Sequence, residues 1–262
     1  MPEPDQPLRI AWIGHSTVLV ELDGARFLTD PLLRPRVAHV RRVAKPPPPI
    51  EGELDAVLLS HVHHDHLDPR SLGLVEAQRI VVPRGAKRLV ARRGPENVVE
   101  LDEGEKLQFG SVAVVATHAE HPSRRWPFAA AIPALGYMIR GTANVYFAGD
   151  TDLFDGMLEL APGLDVALLP IDGWGPRVGP GHLDPRRAAE ALRLLTPRIA
   201  IPIHWGTYRR IGLHGDVAKL RERAELFSRL ASELAPDVDV RILMPGERFE
   251  LPLTASAGEA QS

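Results

Sequence analysis

Four imidazoles and one carboxylate fall within six residues, in the string His61-Val62-His63-His64-Asp65-His66, and three of the imidazoles, at 61, 63 and 66, have ligand spacing. Neutral imidazole nitrogens and carboxylate oxygens are the donors that zinc, manganese and iron take. In an extended segment residues i and i+2 face the same way, so His61 and His63 can share one ion. Asp65 and His66 follow at the turn into a helix and can face a second ion, while His64 is out of phase. The 262-residue chain has no cysteine, which removes disulfides, thiolate ligands and cysteine nucleophiles together. A metal site here must be built from His, Asp and Glu.

More ligand-type residues stand at the ends of apolar, β-branched runs. His118 and His121 both follow Val112–Ala116. Ala148-Gly149-Asp150-Thr151 follows Asn144–Phe147, and Pro202-Ile203-His204-Trp205-Gly206-Thr207 closes the run Ile199–Ile203. The H-x-H-x-D-H string, then a further His, then Gly-Asp, then a final His, in that order and over nearly the whole chain, resembles the metallo-β-lactamase superfamily. Trp12-Ile13-Gly14-His15-Ser16-Thr17, Leu28-Thr29-Asp30-Pro31 and Gly181-His182-Leu183-Asp184-Pro185 are similar to the branch containing ascorbate-phosphate lactonases and N-acylphosphatidylethanolamine phospholipase D. The phospholipase resemblance extends to the basic, proline-rich stretch Arg41–Pro49 and to His121-Pro122-Ser123-Arg124-Arg125, with Pro122 standing where the phospholipase has an aromatic residue.

The resemblance implies an α/β fold, a four-layered αββα sandwich, and a metal-dependent hydrolase. One ion would be held by His61, His63 and His121, the other by Asp65, His66 and His204, with Asp150 bridging. The branch pattern of Ala-x-His followed shortly by Arg is met by Ala119-Glu120-His121, which favours His121 over His118 as third ligand of the first site. The ions implied are two divalent cations, zinc with manganese as the alternative, sharing a hydroxide. The reaction implied is hydrolysis of a phosphodiester or a phosphorylated small molecule. A lactonase or other carboxyl-ester hydrolase is the competing reading, and a metal-stabilised binding module without turnover is the reading from another class. Asp65, Asp150, His182 and His15 are the catalytic candidates, with His15 and His182, each beside a glycine, able to contact substrate or donate a proton. Asp30 can hold the outer nitrogen of a metal-bound imidazole. Arg124, Arg125 or the arginines of the arm can grip a phosphate, and Trp174 can wall the pocket.

The elements must carry these residues to one place. Thr17–Leu22 and Ala25–Thr29 read as strands joined at Asp23-Gly24. Residues 31–53, with Arg34, Arg36, Arg41, Arg42, Lys45 and the prolines 46–49, read as a loop or arm. Asp55–Leu59 is a buried strand that delivers the His-rich string. Pro69–Ala77 is expected as a helix capped by Asp68, and Pro185–Leu195 as one capped by Asp184. Further strands are expected at 79–82, 98–101, 106–109, 112–116, 135–140, 144–147, 165–169, 199–203, 238–243 and 248–251. Short helices are expected at 86–93 and 153–160, and the longest at Asp216–Leu234, where apolar residues recur at helical spacing. The strands form two groups, before and after about residue 135, which suits two sheets packed face to face with helices outside. A single domain over 1–253 with a frayed tail at 254–262 is expected.

The apolar fraction of 44% is that of a globular chain, and a net charge of −3 gives no basic field to draw in nucleic acid. No apolar run reaches membrane-spanning length, and the acidic start lacks the features of a secretion signal. The expectation is a cytoplasmic enzyme with a small-molecule substrate and no nucleic-acid partner. Composition says nothing of oligomeric state.

Overall fold

A computed structural model describes residues 7–91, 95–125, 130–172, 178–212 and 221–252. In chain order the strands are β1 (Leu8–Gly14), β2 (Thr17–Leu22), β3 (Ala25–Thr29), β4 (Arg36–Val37), β5 (Val40–Arg42), β6 (Leu54–Leu58), β7 (Ala77–Pro83), β8 (Val98–Leu101), β9 (Lys106–Phe109), β10 (Val112–His118), β11 (Leu135–Arg140), β12 (Asn144–Phe147), β13 (Val166–Pro170), β14 (Ile199–Ile203), β15 (Tyr208–Arg210), β16 (Asp239–Val240) and β17 (Arg248–Leu251). The helices are α1 (Pro69–Leu72), α2 (Lys87–Ala91), α3 (Pro185–Leu195) and α4 (Arg221–Leu234), with a 3₁₀ turn at Asp155–Leu160.

Two seven-stranded sheets form, in the orders β17-β1-β2-β3-β6-β7-β8 and β16-β14-β13-β12-β11-β10-β9. Alternation along the strands decides what each face meets. In β2, Val18, Val20 and Leu22 turn inward and pack with Tyr137, Phe147 and Leu168 of the other sheet, while Leu19 turns outward. Phe27 and Phe109 meet edge to face across the two sheets, 5.2 Å apart. Leu72 of α1 and Val90 of α2 cover the outer face of the first sheet with Ile13, Leu28 and Val57. Ala188 and Leu192 of α3 and Phe227 of α4 join the cluster that holds the second sheet. The result is the expected αββα layering. Among the described residues no helix is long and apolar enough to cross a membrane.

Local signals account for the element ends. Asp23 and Gly24 both adopt positive φ (50° and 82°), the twist that a two-residue hairpin needs. Asp184 accepts a hydrogen bond from Arg187 N at 2.9 Å, Pro185 opens α3, and Thr196 closes it in left-handed geometry.

Several expectations are corrected. The sheets do not divide at residue 135. The chain changes sheets after β8, because β9 and β10 pair with each other and β10 pairs with β11. It returns at the end, where β17 pairs with β1. The helix expected over Pro69–Ala77 stops after one turn at Gly73, and Ala77 already belongs to β7. The strand expected over Val238–Leu243 keeps only Asp239 and Val240, which pair with Ile199 and Ala200. The arm is not a bare loop: β4 and β5 form a hairpin that pairs with β15, sealed by buried Leu32, Val37, Val40 and Tyr208. Residues 216–220 of the longest helix and the tail 254–262 lie outside the described residues.

Candidate metal centre

The candidate residues lie just past the ends of strands. His61 follows β6, His121 follows β10, Asp150 follows β12 and His204 follows β14. β12, β13 and β14 run parallel, as do β3, β6 and β7, so within each set the C-terminal ends share one edge. Ligands gather at that edge in open α/β sheets. The loops meet closely. Gly149 has φ +62°, and a Cβ there would lie 2.6 Å from Ser60 Cβ, so only glycine lets the Asp150 loop approach the His61 loop. His15, Asp30 and His204 adopt φ of 57°, 32° and 64° without being glycine. Each such residue costs about 1–2 kcal/mol, and strain of this kind gathers at functional sites.

Two sets of donor atoms converge. In the first, His61 Nε2 lies 3.0 Å and His121 Nε2 3.1 Å from His63 Nδ1. In the second, His66 Nε2 lies 3.3 Å from Asp65 Oδ2, 3.3 Å from His204 Nε2 and 3.2 Å from Asp150 Oδ2. His204 Nε2 is 3.7 Å from Asp65 Oδ2 and 3.3 Å from Asp150 Oδ1. A tetrahedral ion with bonds of ~2.0–2.1 Å separates its ligands by about 3.3 Å. These spacings therefore fit a small divalent cation. Asp150 also joins His121 and His182 in a group whose ligand atoms all lie within 4.8 Å of one another, which sets it between the two sets.

The outer ring nitrogens are held from behind. His66 Nδ1 donates to Asp30 Oδ2 at 2.7 Å, His121 Nδ1 to the Gly181 carbonyl at 2.7 Å, and His204 Nδ1 to the Asp172 carbonyl at 2.7 Å. His61 Nδ1 donates to Ser60 Oγ at 3.0 Å, and that hydroxyl donates to Asp30 Oδ2 at 2.5 Å. Each of these rings thus has its Nδ1 proton fixed outward and its Nε2 turned inward, the orientation that a metal ion needs. Lone pairs and carboxylates converging without a cation would repel. Asp150 Oδ1, buried, has no hydrogen-bond partner. The residues fit the ions that the sequence implies.

Electrostatics agree with the geometry. Burial pushes His121 and His15 down to about 4 and His61 well below the usual histidine range, so all three are neutral near pH 7. Burial pushes Asp65 up, but the neighbouring His66 and the hydrogen bond from His15 outweigh it and hold the carboxyl well below its ordinary range. Asp150 is held low in the same way, by His204 and His66. Burial works against a charge on His66, yet Asp150, Asp65 and Asp30 raise it well above the usual value. The excess negative charge at the second set calls for a cation.

The remaining candidates fall in different places. His118 points away from the cluster and pairs at the surface with Glu103 at 3.0 Å and Glu120 at 3.4 Å. His182 is partly buried, its Nε2 3.5 Å from Asp150 Oδ2 and its Nδ1 against the Gly179 and Pro180 carbonyls. Burial lowers its pKa, but Asp150 and those carbonyls raise it above the usual value overall. Asp30 takes the place expected of it behind His66. His15 is 2% exposed and touches Asp65 and His204 rather than open space. Arg125 differs from expectation: its Nη1 donates to the carbonyls of Val62, His63 and Leu67 at 2.8, 3.3 and 2.7 Å, clamping the His-rich loop. Arg124 lines the cavity above the cluster. Trp174 lies outside the described residues.

That cavity measures about 440 Å³, with His63, Asp65, Asp150, His182 and His204 at its base. Val37, Ala38, His39 and Val40 of the small hairpin form one wall, and Arg210 of β15 stands beside them. Sequence reasoning missed this wall, and it missed Ser60. The position of Ser60 next to His61 at a strand end was the available signal. For Arg210, remote in sequence from the arm it joins, there was none.

Residues 25–205 match the family model described as "Beta-lactamase superfamily domain". A UPF0173 metal-dependent hydrolase of Methanopyrus kandleri is 33% identical over 257 residues, 93% of this chain and 100% of that one. The N-acyl-phosphatidylethanolamine-hydrolyzing phospholipase D 1 of Caenorhabditis elegans is 32% identical over 234 residues, 75% of this chain and 63% of that one. Among solved structures, Igni18, a metallo hydrolase of the archaeon Ignicoccus hospitalis, superposes with a TM-score of 0.70 at 21% identity, covering 94% of this chain and 99% of that one.

Proposed function

The chain belongs to the beta-lactamase superfamily and is a metal-dependent hydrolase of it, and from that premise we propose that it uses two divalent ions to cleave a phosphodiester or a phosphorylated small molecule. The observation that carries the two-ion reading is the convergence of His61, His63 and His121 in one set and Asp65, His66 and His204 in another, with Asp150 beside both and its buried Oδ1 accepting no hydrogen bond. His61, His63 and His121 would hold one ion, Asp65, His66 and His204 the other, and Asp150 would bridge. Two such ions, when bound, lower the pKa of a shared water and neutralise charge on attacking and leaving oxygens. Zinc suits this donor set best, with manganese as the alternative.

The protein's own residues supply the rest. Asp30 fixes His66 directly and His61 through Ser60. His182 stands on the cavity wall with its Nε2 inward and its pKa raised, so it can give a proton to a leaving oxygen. The charge of the lining supports this substrate class. Arg124, Arg125 and Arg210 line the cavity, and among the described residues its carboxylates are Asp65 and Asp150, both assigned to the ions. Such a mouth favours an anion. The phospholipase relative, whose name describes a phosphodiester substrate, supports the same class. A cavity of about 440 Å³ suits a small molecule or one headgroup.

The test is a hydrolysis screen of the zinc- and manganese-loaded protein over phosphodiesters, phosphorylated lactones, neutral esters and acyl-phospholipids. Turnover of a phosphodiester, abolished by Asp150→Ala, is the expected result. Turnover confined to lactones or neutral esters overturns the phosphodiester reading in favour of the carboxyl-ester one.

A further inference from the structure

His15 occupies the turn between β1 and β2 with a left-handed backbone, φ +57°. Gly14 before it has φ +131°, and a Cβ there would lie 2.6 Å from Thr207 Cγ2. This turn is fastened to the loop that carries His204. His204 N donates to the His15 carbonyl at 2.9 Å, and His15 N donates to Thr207 Oγ1 at 2.8 Å. Trp12 Nε1 donates to the same carbonyl at 2.8 Å. The His15 ring lies against that of His204, centroids 3.9 Å apart, and its Nε2 is 2.9 Å from Asp65 Oδ2. The ring is 2% exposed and is absent from the cavity lining. The ring faces two candidate ligands rather than the cavity. Glycine or asparagine would sit in this turn with less strain, so the histidine there points to a role for its side chain.

We propose that His15 is a positioning residue: its Nε2–H anchors the Asp65 carboxylate while its ring braces His204, aiming two ligands of the second ion at once. The inference rests on the two-ion reading above. His15 Nε2 also lies within 4.8 Å of the ligand atoms of Asp65, His66 and His204, but a direct bond from it to that ion fits less well. Asp65, His66, His204 and Asp150 already supply four donors, with spacings of 3.2–3.7 Å along their contacts with His66 and His204. The 2.9 Å contact to Asp65 is shorter than any of these and has hydrogen-bond geometry.

The experiment measures stepwise Zn²⁺ affinity by competition with a chromogenic chelator, for the parent chain, His15→Phe and His15→Gln. Phenylalanine keeps the ring contact and loses the N–H, whereas glutamine restores a donor at similar reach. Expected for His15→Phe is a roughly 10–100-fold weaker second binding step with the first unchanged, the range that residues supporting a ligand produce. Its kcat should fall at limiting zinc and recover in excess zinc, with KM unchanged, and His15→Gln should return to within a few-fold of the parent. The circular dichroism of the metal-free form checks the fold. If His15→Phe does not fold, His15→Asn, suited to left-handed backbone and too short to reach Asp65, takes its place with the same expected loss. Parent-like affinity in the donor-less variant overturns the proposal. So does complete loss of the second ion in both His15→Phe and His15→Gln, which marks a direct ligand. A parent chain that binds fewer than two ions overturns the two-ion reading itself, and the His15 role with it, before any variant is compared.

Discussion

Asp30→Asn tests the support of the metal centre with almost no change of shape. Asp30 is fully buried. Its Oδ1 accepts from Ser60 N at 2.7 Å, and its Oδ2 accepts from Ser60 Oγ at 2.5 Å and His66 Nδ1 at 2.7 Å. In the variant the amide oxygen can keep Ser60 N, which turns the NH₂ group toward Ser60 Oγ and His66. The serine hydroxyl can rotate and accept. His66 cannot accept while its Nδ1 is protonated. Either two N–H groups face each other, or the proton moves to Nε2, the atom that faces the ion. One buried donor left unsatisfied costs about 1–3 kcal/mol, roughly 5–150-fold in affinity at 1.4 kcal/mol per decade. The assay is a chelator-competition titration of Zn²⁺ into both proteins, with the metal-free circular dichroism spectrum as control. Weakening by about one to two decades is expected. Affinity within about twofold of the parent in a folded variant would refute the role assigned to Asp30.

Three further predictions follow from the same geometry. The metal-free protein should lose stability as pH falls from about 6.5 to about 4: His15 and His121 are held near 4 by burial, so below 6.5 the unfolded chain takes up protons that the folded one refuses, up to about 3 kcal/mol per histidine. His66, raised in the fold, opposes this loss only near the top of the window, where the unfolded histidine is still taking up its proton, and Asp65 and Asp150, held low, begin to contribute only near its lower end; flat urea midpoints across the window contradict the assignment. Gly181→Ala places a Cβ 2.4 Å from Pro122 Cδ at φ +78°, displacing the carbonyl that holds His121, so the first ion should bind about 10–100-fold more weakly, and parent-like metal titration argues against it. Arg125→Met removes the clamp on the carbonyls of Val62, His63 and Leu67, worth about 2 kcal/mol and roughly 4–8 °C of Tm; a raised KM at unchanged Tm would instead make Arg125 a substrate ligand.

Much of the centre was legible because its signals are local. The string His61–His66 names its chemistry by residue type, Asp184-Pro185 writes its own helix start, and Asp30 before Pro31 sits where a carboxylate can back a histidine. What was not legible depends on partners distant in the chain. The arm reads as a loop until Tyr208 arrives to bury Val37 and Val40. Strands β9 and β10 carry the same alternation in either sheet, so their pattern cannot say which one they join; Phe109 against Phe27 and pairing with β11 decide it. Arg125 has the chemistry of a phosphate ligand, and only the approach of three carbonyls turns it into a clamp. The acceptors behind His121 and His204 are backbone carbonyls of Gly181 and Asp172, which no residue type announces.

The central claim is that the two converging donor sets each hold an ion. Metal analysis by mass spectrometry on protein purified without chelator, loaded with Zn²⁺ and desalted, tests it most directly. About two ions per chain are expected for the parent, and a reduced content for Asp150→Ala, the position proposed to bridge them. A parent chain that retains fewer than two, or a fully active preparation free of metal, contradicts it.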